Sequence, residues 1–135
     1  MGDSEEERKE AEKREKRNSI NRRINTLNNQ IDDLINEKNK YIKMKNKINE
    51  ALPKLKDGKT KVSQSSSELK KAYTSQTAKN KDKDFQTVIT NVGSVINKLN
   101  NSVLPAIETK INQLNNQIQA KRNEISSLKY ELSCL

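Results

Sequence analysis

Apolar residues recur every seven positions through the first half of the chain. The members of this row are Ile20, Leu27, Leu34, Tyr41, Ile48, Leu55, Val62 and Leu69. Because seven residues make two turns of an α-helix, the row predicts one long helix with a continuous apolar seam. The row four residues further on starts apolar and then alternates with polar residues: Ile24, Ile31, Lys38, Lys45, Leu52, Lys59 and Ser66. A seam of this kind, long but partly polar, predicts packing against another helix.

The second half of the chain has seams of the same period and predicts a second helix from Phe85 to about Ser133. Before Pro105 the rows are Phe85, Val92 and Leu99, and Ile89, Ile96 and Val103. After it the rows are Leu104, Ile111, Ile118, Ile125 and Leu132, and Ile107, Leu114, Leu128 and Leu135, with Lys121 in the gap. The phase slips beside a proline, which indicates a kink or stutter rather than a new domain.

The segments outside the seams are polar. Residues 73–84, with the sequence YTSQTAKNKDKD, contain no aliphatic seam residue and are predicted to form the turn, with Asp84 capping the next helix. Pro53 and Gly58 interrupt the first helix, but the seven-residue phase continues past both, which favours a kinked helix over a break. Residues 1–17 are almost entirely charged, and we expect either an exposed helix extension or a tail.

The predicted fold class is therefore all-α, an elongated antiparallel helical hairpin or coiled coil with kinks near Pro53 and Pro105. A turn centred near residue 78 sets Ile31 opposite Ile125. The predicted parts are a charged tail or helix extension 1–17 and a hairpin 18–135, the latter made of an arm 18–72, a turn 73–84 and an arm 85–133.

Composition indicates that such a hairpin is not complete by itself. The chain has 135 residues, of which 30% are hydrophobic and 33% charged, and the mean hydropathy is −1.08. So little apolar mass cannot build a conventional globular core, and we expect a bound or oligomeric state. The residues predicted to form the partner interface are Ile20, Ile24, Leu27, Ile31, Leu34, Tyr41, Ile48, Leu55, Val62, Leu69, Phe85, Ile89, Val92, Ile96, Leu99, Ile111, Leu114, Ile118, Ile125 and Leu128.

The net charge of +9 is concentrated in one segment, residues 38–61, where nine lysines stand against Glu50 and Asp57. This surplus indicates an acidic partner or nucleic acid, or only solvated helix positions in a chain rich in Lys and Asn. Nucleic-acid surfaces usually combine arginines and stacking aromatic residues with lysine. The chain has only six arginines and four aromatic residues, which disfavours nucleic acid.

No constellation of residues predicts catalysis. The chain has no histidine, which excludes Ser-His-Asp, Cys-His and histidine-ligated metal arrangements. The single cysteine, Cys134, excludes an internal disulfide and a multi-cysteine metal site. There is no glycine-rich phosphate loop, and the adjacent Asp32 and Asp33 diverge by about 100° on a helix. We expect no enzymatic activity, no cofactor and no metal.

No stretch is apolar enough to predict a membrane span, and the N-terminal segment lacks the apolar region of a classical signal peptide. The expected location is cytoplasmic, with any export following a route that needs no cleavable signal.

The two arms share an octapeptide. Residues 24–31 (INTLNNQI) and 111–118 (INQLNNQI) agree at seven of eight positions. With the Lys-rich first half, the segments Ile20–Leu55 and Ile107–Leu132 resemble the small α-helical partners of LXG-domain toxins in Gram-positive type VII secretion. These partners are often called Lap proteins and are related to small WXG-type hairpins. The chain has no Trp-x-Gly turn, and no acidic residue stands four positions after Tyr73 or Phe85 as the export signals require.

The resemblance implies a partner role rather than a carrier of the export signal. Such a protein would be an adaptor or targeting chaperone that binds the helical domain of an LXG-type toxin, alone or with a second small helical protein. The alternative from a different class is a self-assembling structural coiled coil, which leaves a homo-oligomer open.

Overall fold

The computed structural model describes residues 2–72 and 76–135, and every regular element within these ranges is helical. Helix α1 spans Gly2–Ala72 and helix α2 spans Gln76–Lys98. A π-helical segment, Leu99–Val103, joins α2 to helix α3 at Leu104–Ser133. The predicted all-α helical hairpin is confirmed.

The chain divides into two compact units, each with helices packed antiparallel. The terminal unit comprises Met1–Lys40 and Ile111–Leu135, and the central unit comprises Tyr41–Lys110. The core of the terminal unit is a cluster of buried aliphatic side chains: Ile20, Ile24, Leu27, Ile31, Ile118 and Ile125. Among the described side chains of the central unit, Leu52, Ser66, Ile96 and Ile107 are buried.

Helix α1 continues without a break through Pro53 and Gly58, as the uninterrupted phase predicted. Pro53 is exposed, so the backbone carbonyl that loses its partner to the proline lies on the solvent side of the helix. Of the two alternatives for residues 1–17, the structure has the helix extension, since α1 begins at Gly2. Residues with high helix propensity and four-residue ion pairs, such as Arg8 with Glu12 at 4.0 Å, favour this conformation.

The predicted turn at residues 73–84 is too long. Helix α2 begins at Gln76, nine residues before the predicted start at Phe85, so Asp84 lies inside a helix and does not cap it. Residues 73–75 of the predicted turn lie outside the described residues. The segment 76–84 looked like a loop because it has no apolar seam, but Asp82 faces α1 through polar contacts with Ser66 and Lys70.

The register of the hairpin differs from the prediction by about one helical turn. In the terminal unit the Lys121 ammonium donates to the Gln30 side-chain oxygen at 3.0 Å, so Ile31 lies level with residues near Lys121 rather than with Ile125. In the central unit Lys45 pairs with Glu108 at 2.8 Å, in the same register.

The phase slip beside Pro105 is a π-helical insertion, which confirms the predicted stutter. The Leu104 amide donates to the Leu99 carbonyl, five residues back instead of four. This single extra residue moves the seam from Val103 to Leu104, and the buried seam residues after it are Ile107, Ile111, Leu114, Ile118 and Ile125. The wider turn also accommodates Pro105, which has no amide proton to donate.

Candidate helix-binding face

The seven-residue row of α1 leaves the hairpin interface in the central unit. Ile20 and Leu27 are buried in the terminal unit, whereas Ile48, Leu55 and Val62 of the same row are only half-buried. A straight α-helix drifts by about 20° per heptad relative to an exact seven-residue repeat. The row therefore turns progressively out of the interface, and the companion row replaces it there.

A row of valines is exposed on the other helix of the central unit. Val88, Val95 and Val103 are 44%, 47% and 36% exposed. Each valine precedes by one residue a member of the inward-facing row Ile89, Ile96 and Leu104. In both rows the last interval is eight residues instead of seven, because it includes the extra residue of the π segment. The valines therefore stay aligned along the helix before and after that segment.

The half-buried row of α1 and the exposed valines lie on the same side of the central unit. Ile48 precedes the buried Leu52 by four residues, and Val95 precedes the buried Ile96 by one. An α-helix turns by about 100° per residue. Around its helix axis, Ile48 therefore lies about 40° behind Leu52, and Val95 lies about 100° behind Ile96, in the same rotational sense. The two helices of an antiparallel pair are related by a two-fold symmetry axis that is perpendicular to the plane containing both helices. Side chains displaced in the same rotational sense on the two helices therefore lie on the same side of that plane. We call this side of the central unit the open face. Its members are Met44, Ile48, Leu55, Val62, Leu69, Val88, Val95 and Val103.

Small residues continue the open face on α1. Ala51, Gly58 and Ser65 follow Met44 at seven-residue intervals and lie beside the half-buried row. A Cβ added at Gly58 would meet nothing within 4 Å, so packing inside this chain does not require a glycine there. A glycine in a helix interior nevertheless costs about 1 kcal/mol relative to alanine. Small side chains at these positions leave room for a further helix to approach α1 closely.

The opposite side of the central unit has a crevice with both polar and apolar walls. Lys59 extends across Gly93, and its Nζ would lie 3.2 Å from a Cβ at that position. Lys56, Ser63 and Gln64 line the same crevice together with Ile89 and Ile96. The exposed valines lie on the other side of the central unit, which therefore has its most exposed apolar side chains.

Charge is distributed unevenly between the units. The central unit has fourteen lysines and no arginine against six acidic residues, a surplus of eight, whereas the terminal unit has thirteen basic against twelve acidic residues. Lys47, Lys54 and Lys61 immediately precede Ile48, Leu55 and Val62, and all three lysines are exposed. They form most of the outer border of the open face on α1. Glu68, which precedes Leu69, ends the row, and Lys61 also pairs with Asp57 at 3.3 Å.

A partly buried polar cluster around Ser66 joins the two helices of the central unit. Ser66 is 2% exposed and donates to the Asp82 carboxylate, and Gln86 Nε2 donates to Ser66 Oγ at 3.2 Å. Lys70 lies 3.2 Å from the same carboxylate. The hydrogen bond from Ser66, with the neighbouring Lys70 and Gln86, lowers the pKa of Asp82 below its ordinary value of 3.8. This cluster replaces the apolar seam at this end of the hairpin.

The structure uses many of the predicted interface residues inside the chain. The buried members are Ile20, Ile24, Leu27, Ile31, Ile96, Ile111, Leu114, Ile118 and Ile125. Six of them, Ile20, Ile24, Leu27, Ile31, Ile118 and Ile125, form the core of the terminal unit. The half-buried members are Leu34, Tyr41, Ile48, Leu55, Val62, Leu69, Phe85, Ile89, Val92, Leu99 and Leu128.

The most exposed apolar residues of the open face were missed by the sequence prediction. Met44, Val88, Val95 and Val103 are exposed but were not among the predicted interface residues. The valines could have been recognised from their spacing in the sequence, because each one stands directly before a member of the row Ile89, Ile96 and Leu104.

Comparison with known protein families, with curated proteins and with solved structures finds no match to this chain. Within residues 2–72 and 76–135, no helix is long and apolar enough to cross a membrane. Nor does the described part of the chain bring three or more Cys, Asp or Glu side chains together as a metal site. A function is therefore inferred from the surfaces of the molecule.

Proposed function

We propose that this protein is a non-enzymatic helical adaptor or targeting chaperone that binds another helical protein through the open face. The observation that carries the proposal is the alignment of the exposed valines beside the half-buried row of α1 on one side of the central unit. Contiguous exposed apolar surface with a polar border is typical of protein interaction sites. A groove between two helices is a common docking site for the apolar stripe of a third.

The length of the open face suits a helix rather than a loop. From Met44 to Leu69 it follows α1 for about 39 Å at 1.5 Å per residue. The resemblance to Lap proteins supplies the candidate partner, the helical domain of an LXG-type toxin. Docked side by side, the toxin helix would cover the valines while this chain shields the apolar surface of the toxin helix before export.

The test is co-expression with an LXG-type protein encoded beside this gene, followed by size-exclusion chromatography. We expect one complex, and we expect Val88→Gln with Val95→Gln to dissociate it, because both changes lie on the open face. The matched control is Thr90→Gln with Asn97→Gln. These two exposed residues have the same spacing on the same helix but lie on the opposite side. Separate elution of the unmodified proteins, or equal loss of binding in both variants, would contradict the proposal.

A self-assembling coiled coil is the alternative function, with a second copy on the open face. The surplus of eight positive charges in each central unit opposes this arrangement. Light scattering distinguishes the two, because self-assembly would give a homo-oligomer that the Val88→Gln, Val95→Gln variant converts to monomer.

A further inference from the structure

The border of the open face identifies the charge of its occupant. We infer that the helix bound there is acidic along the flank that lies against α1, with Asp or Glu repeating at seven-residue spacing beside its apolar stripe. This inference rests on the proposed function and adds to it the chemistry by which a partner is selected.

The basic border has the spacing of a helix-helix contact. Lys47, Lys54 and Lys61 are seven residues apart and lie about 100° beyond Ile48, Leu55 and Val62, away from the hairpin interface. Positions that flank an apolar seam in this way form the interhelical ion pairs that determine partner choice. The lysine stems also extend over apolar surface while the ammonium groups stay in water. A partner helix on the open face therefore places its own flanking residues near these ammonium groups.

The two borders of the open face differ. On α2 the exposed residues beyond the valines are Asp84, Asn91 and Lys98, which together carry no net charge. On α1 the border is basic at Lys47, Lys54 and Lys61 and acidic only at Glu68, before Leu69, so acidity is favoured on one flank of the bound helix and not on both. This asymmetry also specifies which flank of the partner lies against α1.

The same charges argue against the other occupants of the face. A second copy would bring two central units together, each with a surplus of eight positive charges, and like charges across an interface oppose association. Nucleic acid would satisfy the lysines, but residues 41–110 contain no arginine, and phosphates would leave the valines uncovered. An acidic amphipathic helix satisfies the lysines and covers the valines together.

Synthetic helical peptides test this directly. Three peptides of about 26 residues, matched to the length of the open face, share one apolar heptad stripe and carry Glu, Gln or Lys along one flank. Fluorescence anisotropy with the full chain measures their affinities. We expect the Glu peptide to bind about tenfold more tightly than the Gln peptide at low salt, and the Lys peptide to bind most weakly. The difference should shrink above about 0.5 M salt, where exposed charges are screened.

Variants of the chain locate the effect. Lys47→Glu with Lys54→Glu and Lys61→Glu should reverse the order of the Glu and Lys peptides. The control, Lys56→Glu with Lys79→Glu and Lys83→Glu, makes the same change in net charge at exposed residues off the open face and should preserve the order. Reversal in both variants would attribute the preference to net charge and overturn the assignment to the basic border. Circular dichroism verifies that each variant remains helical.

The outcomes separate this inference from the proposed function. One outcome is that the Glu and Gln peptides bind equally and that Val88→Gln with Val95→Gln weakens the binding of both. That result would support helix docking on the open face and contradict the acidic flank. Absence of peptide binding, with a dimer that the same valine changes dissociate, would overturn both in favour of a second copy. Salt-sensitive binding of duplex DNA that survives the valine changes, with no peptide bound, would likewise overturn both.

Discussion

Ser66 of α1 donates a hydrogen bond to the carboxylate of Asp82 in α2, and this contact fixes the register of the helices in the central unit. The hydroxyl is nearly inaccessible to water, whereas the Asp82 side chain is 17% exposed and also contacts Lys70 at 3.2 Å. A partly buried polar pair is satisfied in one alignment of two helices and left unpaired in others. The cluster therefore specifies alignment at the end of the hairpin where apolar contacts are few.

Replacing the buried hydroxyl should destabilise the hairpin. Ser66→Ala removes the donor to Asp82 and the acceptor for Gln86, and we expect a loss of about 1 kcal/mol in the free energy of unfolding. Urea denaturation followed by circular dichroism measures it. Ser67→Ala is the control, because Ser67 is exposed and adjacent. A loss of equal size in both variants would mean that the cluster does not contribute.

Stability should depend on pH through Asp82. Its pKa is lowered in the folded protein, chiefly by the hydrogen bond from Ser66. The unfolded chain then binds the proton more tightly than the folded protein does. This contribution to stability is therefore complete above the unfolded pKa and is lost as the pH falls through the folded pKa. We expect Asp82→Asn to be less stable than the unmodified chain at pH 7 and the difference to shrink below about pH 4. A difference independent of pH would assign the effect to packing rather than charge.

The sequence predicted the helices well where the apolar seams were continuous. The row from Ile20 to Leu69 predicted α1, and the phase slip beside Pro105 predicted the stutter that the π segment produces. It failed at the turn, because the contact between Ser66 and Asp82 makes a seam without apolar residues. Hydrophobic periodicity does not detect a polar seam.

The open face was harder to predict because one row of residues serves two surfaces. Ile48 and Leu55 belong to the same heptad row as the buried Leu27, and sequence spacing assigns all three to one interface. Their exposure depends on the accumulated difference between 3.6 and 3.5 residues per turn, which moves the row outward by about 20° per heptad. Only the structure shows where along α1 this movement uncovers the row.

The π segment should be dispensable once Pro105 is removed. Deleting Asn101 reduces the spacing from Ile96 to Leu104 from eight residues to seven, which a regular α-helix satisfies. Pro105 would then lie within an ordinary α-helix, and we expect the deletion to cost up to about 3 kcal/mol. Combining the deletion with Pro105→Ala should restore most of this stability in urea denaturation.

The double-mutant cycle isolates the coupling between the insertion and the proline. Pro105→Ala should have a much smaller effect in the unmodified chain, where the Leu104 amide already bonds five residues back. Equal effects of Pro105→Ala in the two backgrounds would show that the π segment does not accommodate the proline.

Gly58→Ala should affect stability and binding in opposite directions. In the free protein an added Cβ meets nothing within 4 Å, so the alanine gains helix propensity without a clash. We expect a gain of about 1 kcal/mol in the free energy of unfolding. In the complex the same methyl group lies on the open face where a partner helix approaches, so affinity for the helical partner should fall. Gly93→Ala, on the opposite side against Lys59, is the control and should leave binding unchanged. If Gly58→Ala stabilises the chain without weakening the complex, then close helix approach at Gly58 is wrong, and the glycine has no packing role in either state.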